Sequence, residues 1–274
     1  MHIFIRSFRF VGAFRLRTEK CGVFVDELWK LGLLFLVGSV AGFINVNAGG
    51  GSTLTLPMLI FLGLDSALAN GTNRVAILVQ NIFAVSSFRR QKVFHPQESL
   101  KLSLITLPGA VLGAMVSIRI DDAWFQRILA IIMIGIVLSM FVPKTQKNYQ
   151  DIISTARHKW LIYIALFFIG FYGGFIQVGV GFLFMAALYH ILRISLVYVN
   201  MHKVFIVLLY TIPSLLVFAL NGKVNWGFGL SLAIGNAIGG WWGAKASVKG
   251  GEKLIRCMLA AAIVLMAVKL LKVF

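Results

Sequence analysis

The chain alternates apolar runs, many close to 20 residues long, with short connections that hold most of its charge. A helix needs ~20 apolar residues to cross the ~30 Å hydrocarbon core of a bilayer. Lipid offers the backbone no hydrogen-bond partner, so such a run crosses as a helix or within a closed barrel. The ~10-residue alternation of barrel strands is missing. Charged residues make up 13% of the 274, against ~25% in an ordinary soluble domain. These features predict an all-α polytopic membrane protein, set in the lipid bilayer over nearly its whole length, with no separate soluble domain.

The net charge of +17 raises nucleic acid as a partner. The basic residues sit in connections too short to fold as a nucleic-acid module, where Lys and Arg instead set membrane orientation. Cys21 and Cys257 form neither a metal nor a disulfide pattern. The sequence calls for no cofactor. It has no phosphate-binding GKS or GKT stretch, which argues against an ATP-driven pump. The leader, residues 1–29, holds Arg6, Arg9, Arg15, Arg17 and Lys20, and this spacing interrupts any signal-peptide core. It reads as a basic cytoplasmic segment on anionic lipid. A start codon further downstream is the alternative.

The rest of the chain is written twice, as residues 30–143 and 160–274, joined by a cytoplasmic linker at 144–159. "GFINVNAGG" at 42–50 matches "GFIQVGVGF" at 174–182, which sets Asn45 on Gln177 and Gly49 on Gly181. "ANGTNRVAILV" from Ala69 matches "YVNMHKVFIVL" from Tyr198, and "LPGAVLGA" from Leu107 echoes "AIGNAIGG" from Ala233. Each half holds five apolar segments, at about 30–48, 51–64, 69–90, 99–119 and 124–143, then 160–178, 180–192, 197–220, 226–245 and 253–273. The second of each five is too short to cross. Read as the far part of one broken or re-entrant helix, it leaves eight crossings and two parallel repeats of about four transmembrane helices. The positive-inside rule then makes both termini cytoplasmic in a multi-pass plasma-membrane protein. One misfit remains: Lys245, Lys249, Lys253 and Arg256 fall outside.

"NVNAGGGST" places Asn45, Asn47, Gly49, Gly50, Gly51, Ser52 and Thr53 inside an apolar region. Irregular backbone at membrane depth is tolerated where it lines a cavity or is buried in protein. A helix starting there presents free N–H groups and a partial positive charge, which suits an anion. Close helix packing explains one such glycine run equally well. Its recurrence with Gln177, Gly179 and Gly181 favours a site. "NGTNR" adds Asn70, Thr72, Asn73 and Arg74, with Asn70 or Thr72 as a helix cap and Arg74 facing either the interior or the headgroups. His202 and Lys203 occupy the matching place. His202 or His190 is a candidate for proton handling, with the proton as coupling ion. None of the nine acids lies in the middle of an apolar run. The interior chemistry therefore suits a small anion rather than a cation or a metal.

The break followed by "LPMLIFLGL", "ANGTNRVAILV" and "FRRQKV", with "GFYGGFIQVGVG" and "WWGAKAS" later, resembles the TauE/SafE sulfite-exporter family, over most of residues 30–273. The resemblance implies a plasma-membrane carrier of sulfite, sulfonates or related organosulfur anions. Read from the residues alone, the chain is a gradient-driven secondary carrier of a small anion, with the two glycine breaks and Arg74 around one central site and one half moving against the other. The alternatives are an anion channel of the same build, a carrier of a small carboxylate, and an intramembrane enzyme with Ser52 as nucleophile and a histidine as base. A homo-oligomer is compatible with all of them.

Overall fold

The computed structural model describes residues 28–139, 159–192 and 194–270, and all the regular structure among them is helical. The leader up to residue 27 and the linker from 144 to 158 lie outside the described residues. The helices are α1 (Leu28–Ala48), α2 (Ser52–Phe61), α3 (Ser66–Arg90), α4 (Pro96–Ser117), α5 (Asp122–Ser139), α6 (Lys159–Phe175), α7 (Val180–Leu192), α8 (Leu196–Leu220) and α9 (Trp226–Leu270). Helices α1, α4 and α8 are long and apolar enough to cross a membrane. Helix α3 matches α8 in length at 25 residues, but its polar NGTNR stretch dilutes its apolar character. Helix α9 bends at Gly251, whose φ of 58° and ψ of −157° are not helical, and so divides into the two expected segments.

The expected capping role of Asn70 and Thr72 is not met. Helix α3 begins earlier, at Ser66 after Asp65, and both residues lie buried inside it. Their side chains serve tertiary contacts instead. Asn70 Nδ2 donates to Phe175 O at 2.7 Å and Ser117 Oγ at 2.9 Å, and Thr72 Oγ1 accepts from Asn225 N at 2.9 Å.

Helix direction corrects the sequence-based topology. Gly38 and Gly42 of α1 lie on Leu232 and Asn236 of α9, so these two run the same way. Gly229 lies on Val75 and Gly240 on Gln80, so α3 shares that sense. Helices α4, α6 and α8 run the other way: Asn70 meets Ser117, Gly109 and Gly113 lie on Phe167 and Phe171, and Ser99 and Ala110 meet His202 and Ser214. Helix α2 therefore doubles back beside α3, with Thr55 Oγ1 donating to Asn73 Oδ1 at 2.7 Å. The expectation that α1 and α2 make one crossing fails, because the glycine stretch reverses the chain rather than merely breaking it. Segments that match in sequence, α1 with α6 and α3 with α8, run in opposite senses, contrary to the expected parallel relation.

The third long helix of each half packs in the other half. One apolar core joins Leu166 of α6, Phe184 of α7 and Ile206 of α8 to Ala110 of α4. The other joins Leu34 of α1, Leu56 of α2, Ala76 of α3 and Phe125 of α5 to Leu232 of α9. Small residues make both exchanges close. A side chain at Gly42 would meet the backbone of Asn236, and one at Gly174 that of Ala110. Between helices in lipid, such backbone approach replaces the hydrophobic drive available in water.

Gly174→Val should overpack the α4–α6 contact and cost about 1–3 kcal/mol. The expected result is a thermal midpoint in detergent lowered by several degrees. Gly32→Ala, where an added Cβ meets nothing within 4 Å and Ala suits the helix better than Gly, should not lower it.

Candidate functional site

Helices α1 and α6 both end inside the molecule, so their last carbonyls lack intrahelical partners. Each end is met by a cation from the opposite half. Lys203 of α8 donates from Nζ to Asn45 O at 3.1 Å and Val46 O at 2.7 Å, and to Asn200 Oδ1 at 2.9 Å. Arg74 of α3 donates from Nη2 to Gly173 O at 3.3 Å and to Gly174 O. Both cations are buried, Arg74 at 0% exposure and Lys203 at 2%. A positive charge at a helix C-terminus opposes the negative end of the macrodipole.

The chain then turns back. Gly49, at φ +83°, packs its backbone against that of Gly181, and neither position has room for a side chain. Beside this crossing lies a cavity of about 10 Å³, the space of one water molecule. Its polar wall is Asn45, Ser52, Gln80, Asn81, Gln177 and Lys203. Ile77, Val204 and Val207 make its apolar side, with Val180 and Gly181 at the start of α7. Two helix N-termini thus reach the cavity, α2 at Ser52 and α7 at Val180. No carboxylate lines it.

Hydrogen bonds set most of this wall. Asn45 Nδ2 donates to Gln80 Oε1 at 3.2 Å, while Asn45 Oδ1 accepts from Gly51 N at 3.3 Å. Asn81 Nδ2 donates to Ile77 O at 2.8 Å. Gln177 differs. Its backbone stands at φ 66°, its exposure is 1%, and its amide is under-bonded, with the Tyr210 hydroxyl as its one polar neighbour. A buried amide left short of partners is costly, which makes Gln177 the wall residue poised to bind something else.

The residues singled out from the sequence divide into groups. Asn45, Ser52, Gln177, Gly181 and Lys203 come together on the cavity. Gly49, Gly50, Gly51 and Gly179 form the reversals beside it, and Thr53 Oγ1 closes one by donating to Gly50 O at 2.6 Å. Asn47 turns away, donating to Phe43 O at 2.9 Å and Gly243 O at 3.2 Å. Asn70, Thr72, Asn73 and Arg74 are buried but do not line this cavity. His202 Nδ1 lies 2.8 Å from Ser99 Oγ, and Nε2 lies 3.8 Å from the exposed Glu98. It is engaged with α4, and the Ser52–His202 pairing an enzyme would need is not made. The His190 side chain lies outside the described residues. Sequence reasoning missed Gln80 and Asn81, although an adjacent amide pair in the apolar run "AILVQNIF" was the available signal. The described residues contain no cluster of three metal-ligating side chains.

The sulfite exporter TauE/SafE family model matches residues 34–270. A probable membrane transporter protein of Haemophilus influenzae is 30% identical over 243 residues, covering 88% of this chain and 94% of its own. The probable membrane transporter protein YfcA of Escherichia coli K12 is 31% identical over 245 residues, covering 88% and 89%. YunE of Bacillus subtilis, also a probable membrane transporter protein, is 24% identical over 263 residues, covering 87% and 96%. No solved structure matches. A helical chain with apolar spans, an interior cavity free of acids and this breadth of similarity is a membrane transporter, and it belongs to the sulfite exporter TauE/SafE family.

Proposed function

We propose that this protein is a secondary carrier of small sulfur oxyanions, sulfite or a sulfonate, across the plasma membrane. The observation that carries the reading is the under-bonded Gln177 amide in an acid-free cavity reached by two helix N-termini and Lys203. Half-helix N-termini aimed at mid-membrane are a recurring way of holding an anionic group. Lys203 spends its donors on carbonyls and Asn200, so it supplies field while the amides and N-termini supply contacts. The small cavity favours a carrier over an open channel, since an ion of several heavy atoms enters only if the two reversals part.

The carrier is built from two inverted repeats. Residues 132 apart play like parts: Gly38 lies on Leu232 as Gly170 lies on Thr106, and Gly42 on Asn236 as Gly174 on Ala110. The opposed directions of α1 and α6 support inversion over a parallel repeat. Because each half buries the other's third long helix, the halves do not move as blocks. Tilting of the α1–α2 hairpin against the α6–α7 hairpin, about the Gly49–Gly181 contact, is the motion that alternates access.

In proteoliposomes, labelled sulfite flux should be saturable and competed by a small sulfonate. Gln177→Leu should lower kcat/KM about tenfold, as expected for loss of a hydrogen bond of ~1.4 kcal/mol. Normal flux in the variant would remove Gln177 from the site. Absence of flux for every sulfur anion in the wild type would overturn the substrate class.

Orientation follows from the helix directions. Arg90 stacks on Trp241 with 4.9 Å between guanidinium and ring, and Gln91 Nε2 reaches Ala244 O at 3.4 Å. The basic loop after α3 and the basic bend around Lys245, Lys249 and Lys253 therefore share one end of the molecule. Leu102 and Ile162 share a core, which brings the start of α6 to that end too. The misfit found in the sequence disappears if this end is cytoplasmic. Leu28 then faces outside, and a crossing by the second arm of α9 carries residue 270 there as well, reversing the cytoplasmic termini expected from the leader's charge. In a Cys21→Ser background, the exposed Cys257 should resist an impermeant maleimide on intact cells and react in inside-out vesicles. The opposite pattern would invert the protein.

A further inference from the structure

Arg74 is a fully buried cation that the cavity leaves unexplained. Its Nη2 is used by the carbonyls of Gly173 and Gly174, and its guanidinium carbon stands 4.7 Å from the centre of the Phe218 ring. Its Nε and Nη1 have no partner. The Tyr210 hydroxyl lies beside Gly173, next to Arg74 and within hydrogen-bonding reach of the Gln177 amide, and these two groups have no polar partner beyond each other. Asn73 Nδ2, on the neighbouring residue, is unpaired too. Among the described residues no carboxylate reaches Arg74. At its end of the molecule, Asp122 is held by Ser66 N at 2.6 Å.

An isolated buried charge is strongly unfavourable, and each unpaired buried donor adds to that cost. Several such donors around one cation, with no internal acid, call for an external negative group. We infer that Arg74, Tyr210 and Gln177 form a second anion-binding point, for the same class of small oxyanion, separate from the Lys203 cavity. Gln177 lines the cavity and faces Tyr210, so it joins the two points. The inference rests on the carrier reading and adds that each chain holds two anions. Internal symmetry accords with this: in the sequence match that sets Arg74 on Lys203, Tyr210 falls on the cavity residue Asn81.

The test is equilibrium binding of radiolabelled sulfite to the purified full-length chain in detergent. The wild type should bind two ions. Tyr210→Phe should bind one, with the remaining affinity unchanged, and Asn81→Leu should lose the other. Should Tyr210→Phe fail to fold, Arg74→Lys keeps the charge and should weaken one of the two affinities at least tenfold. One ion in the wild type overturns the second point and leaves the carrier standing, whether or not Tyr210→Phe abolishes it. No binding of sulfite or of a sulfonate by the wild type overturns the carrier reading, and this inference with it.

Discussion

Two helices that stop inside a membrane leave carbonyl groups where lipid and water cannot serve them, and the rest of this structure is arranged around that need. Lys203 and Arg74 each cross to the other half to meet one of these ends. The pairing eases two costs at once, since a buried cation and the negative end of a helix offset each other. It is incomplete, because partial charges do not neutralise a full one. The residual positive field, with no carboxylate on the cavity wall to quench it, is what supports the proposed anion carrier.

The same arrangement limits how the protein can move. The third long helix of each half is held in the other half by backbone-close contacts, α4 on α6 and α9 on α1. Breaking either exchange would expose polar backbone and forfeit close packing. The reversals are different. Gly49 and Gly181 touch backbone to backbone beside a small cavity, with the under-bonded Gln177 amide next to them. Motion concentrated there costs least, and there a bound anion would replace what the protein itself lacks.

Much of this was legible in the residues. Run length gave the helices, and the observed bounds of α7, Val180–Leu192, coincide with the expected segment. The irregular stretches at Asn45–Thr53 and Gln177–Gly181 stood out as polar backbone in apolar surroundings, and both border the cavity. Direction was not legible. A short apolar segment after a glycine stretch can continue a helix or reverse it, and composition is the same either way. That single ambiguity at α2 and α7 is why the sequence-based topology differs from the observed helix directions.

The sequence by itself determined that the chain is helical with membrane-spanning runs and that polar, basic and amide side chains interrupt those runs. Residue type and spacing suffice for these, because lipid imposes length and apolarity on every span. Only the tertiary structure decided which polar residues meet. Lys203 and Arg74 are equivalent in sequence, yet one borders the cavity and the other lies off it. Gln177 meets only the Tyr210 hydroxyl, while Asn45, on the facing reversal, is bonded to Gln80 and Gly51. Those differences arise from the sense in which two short helices run and from the exchange of α4 and α9, which are properties of packing and not of any local stretch of chain.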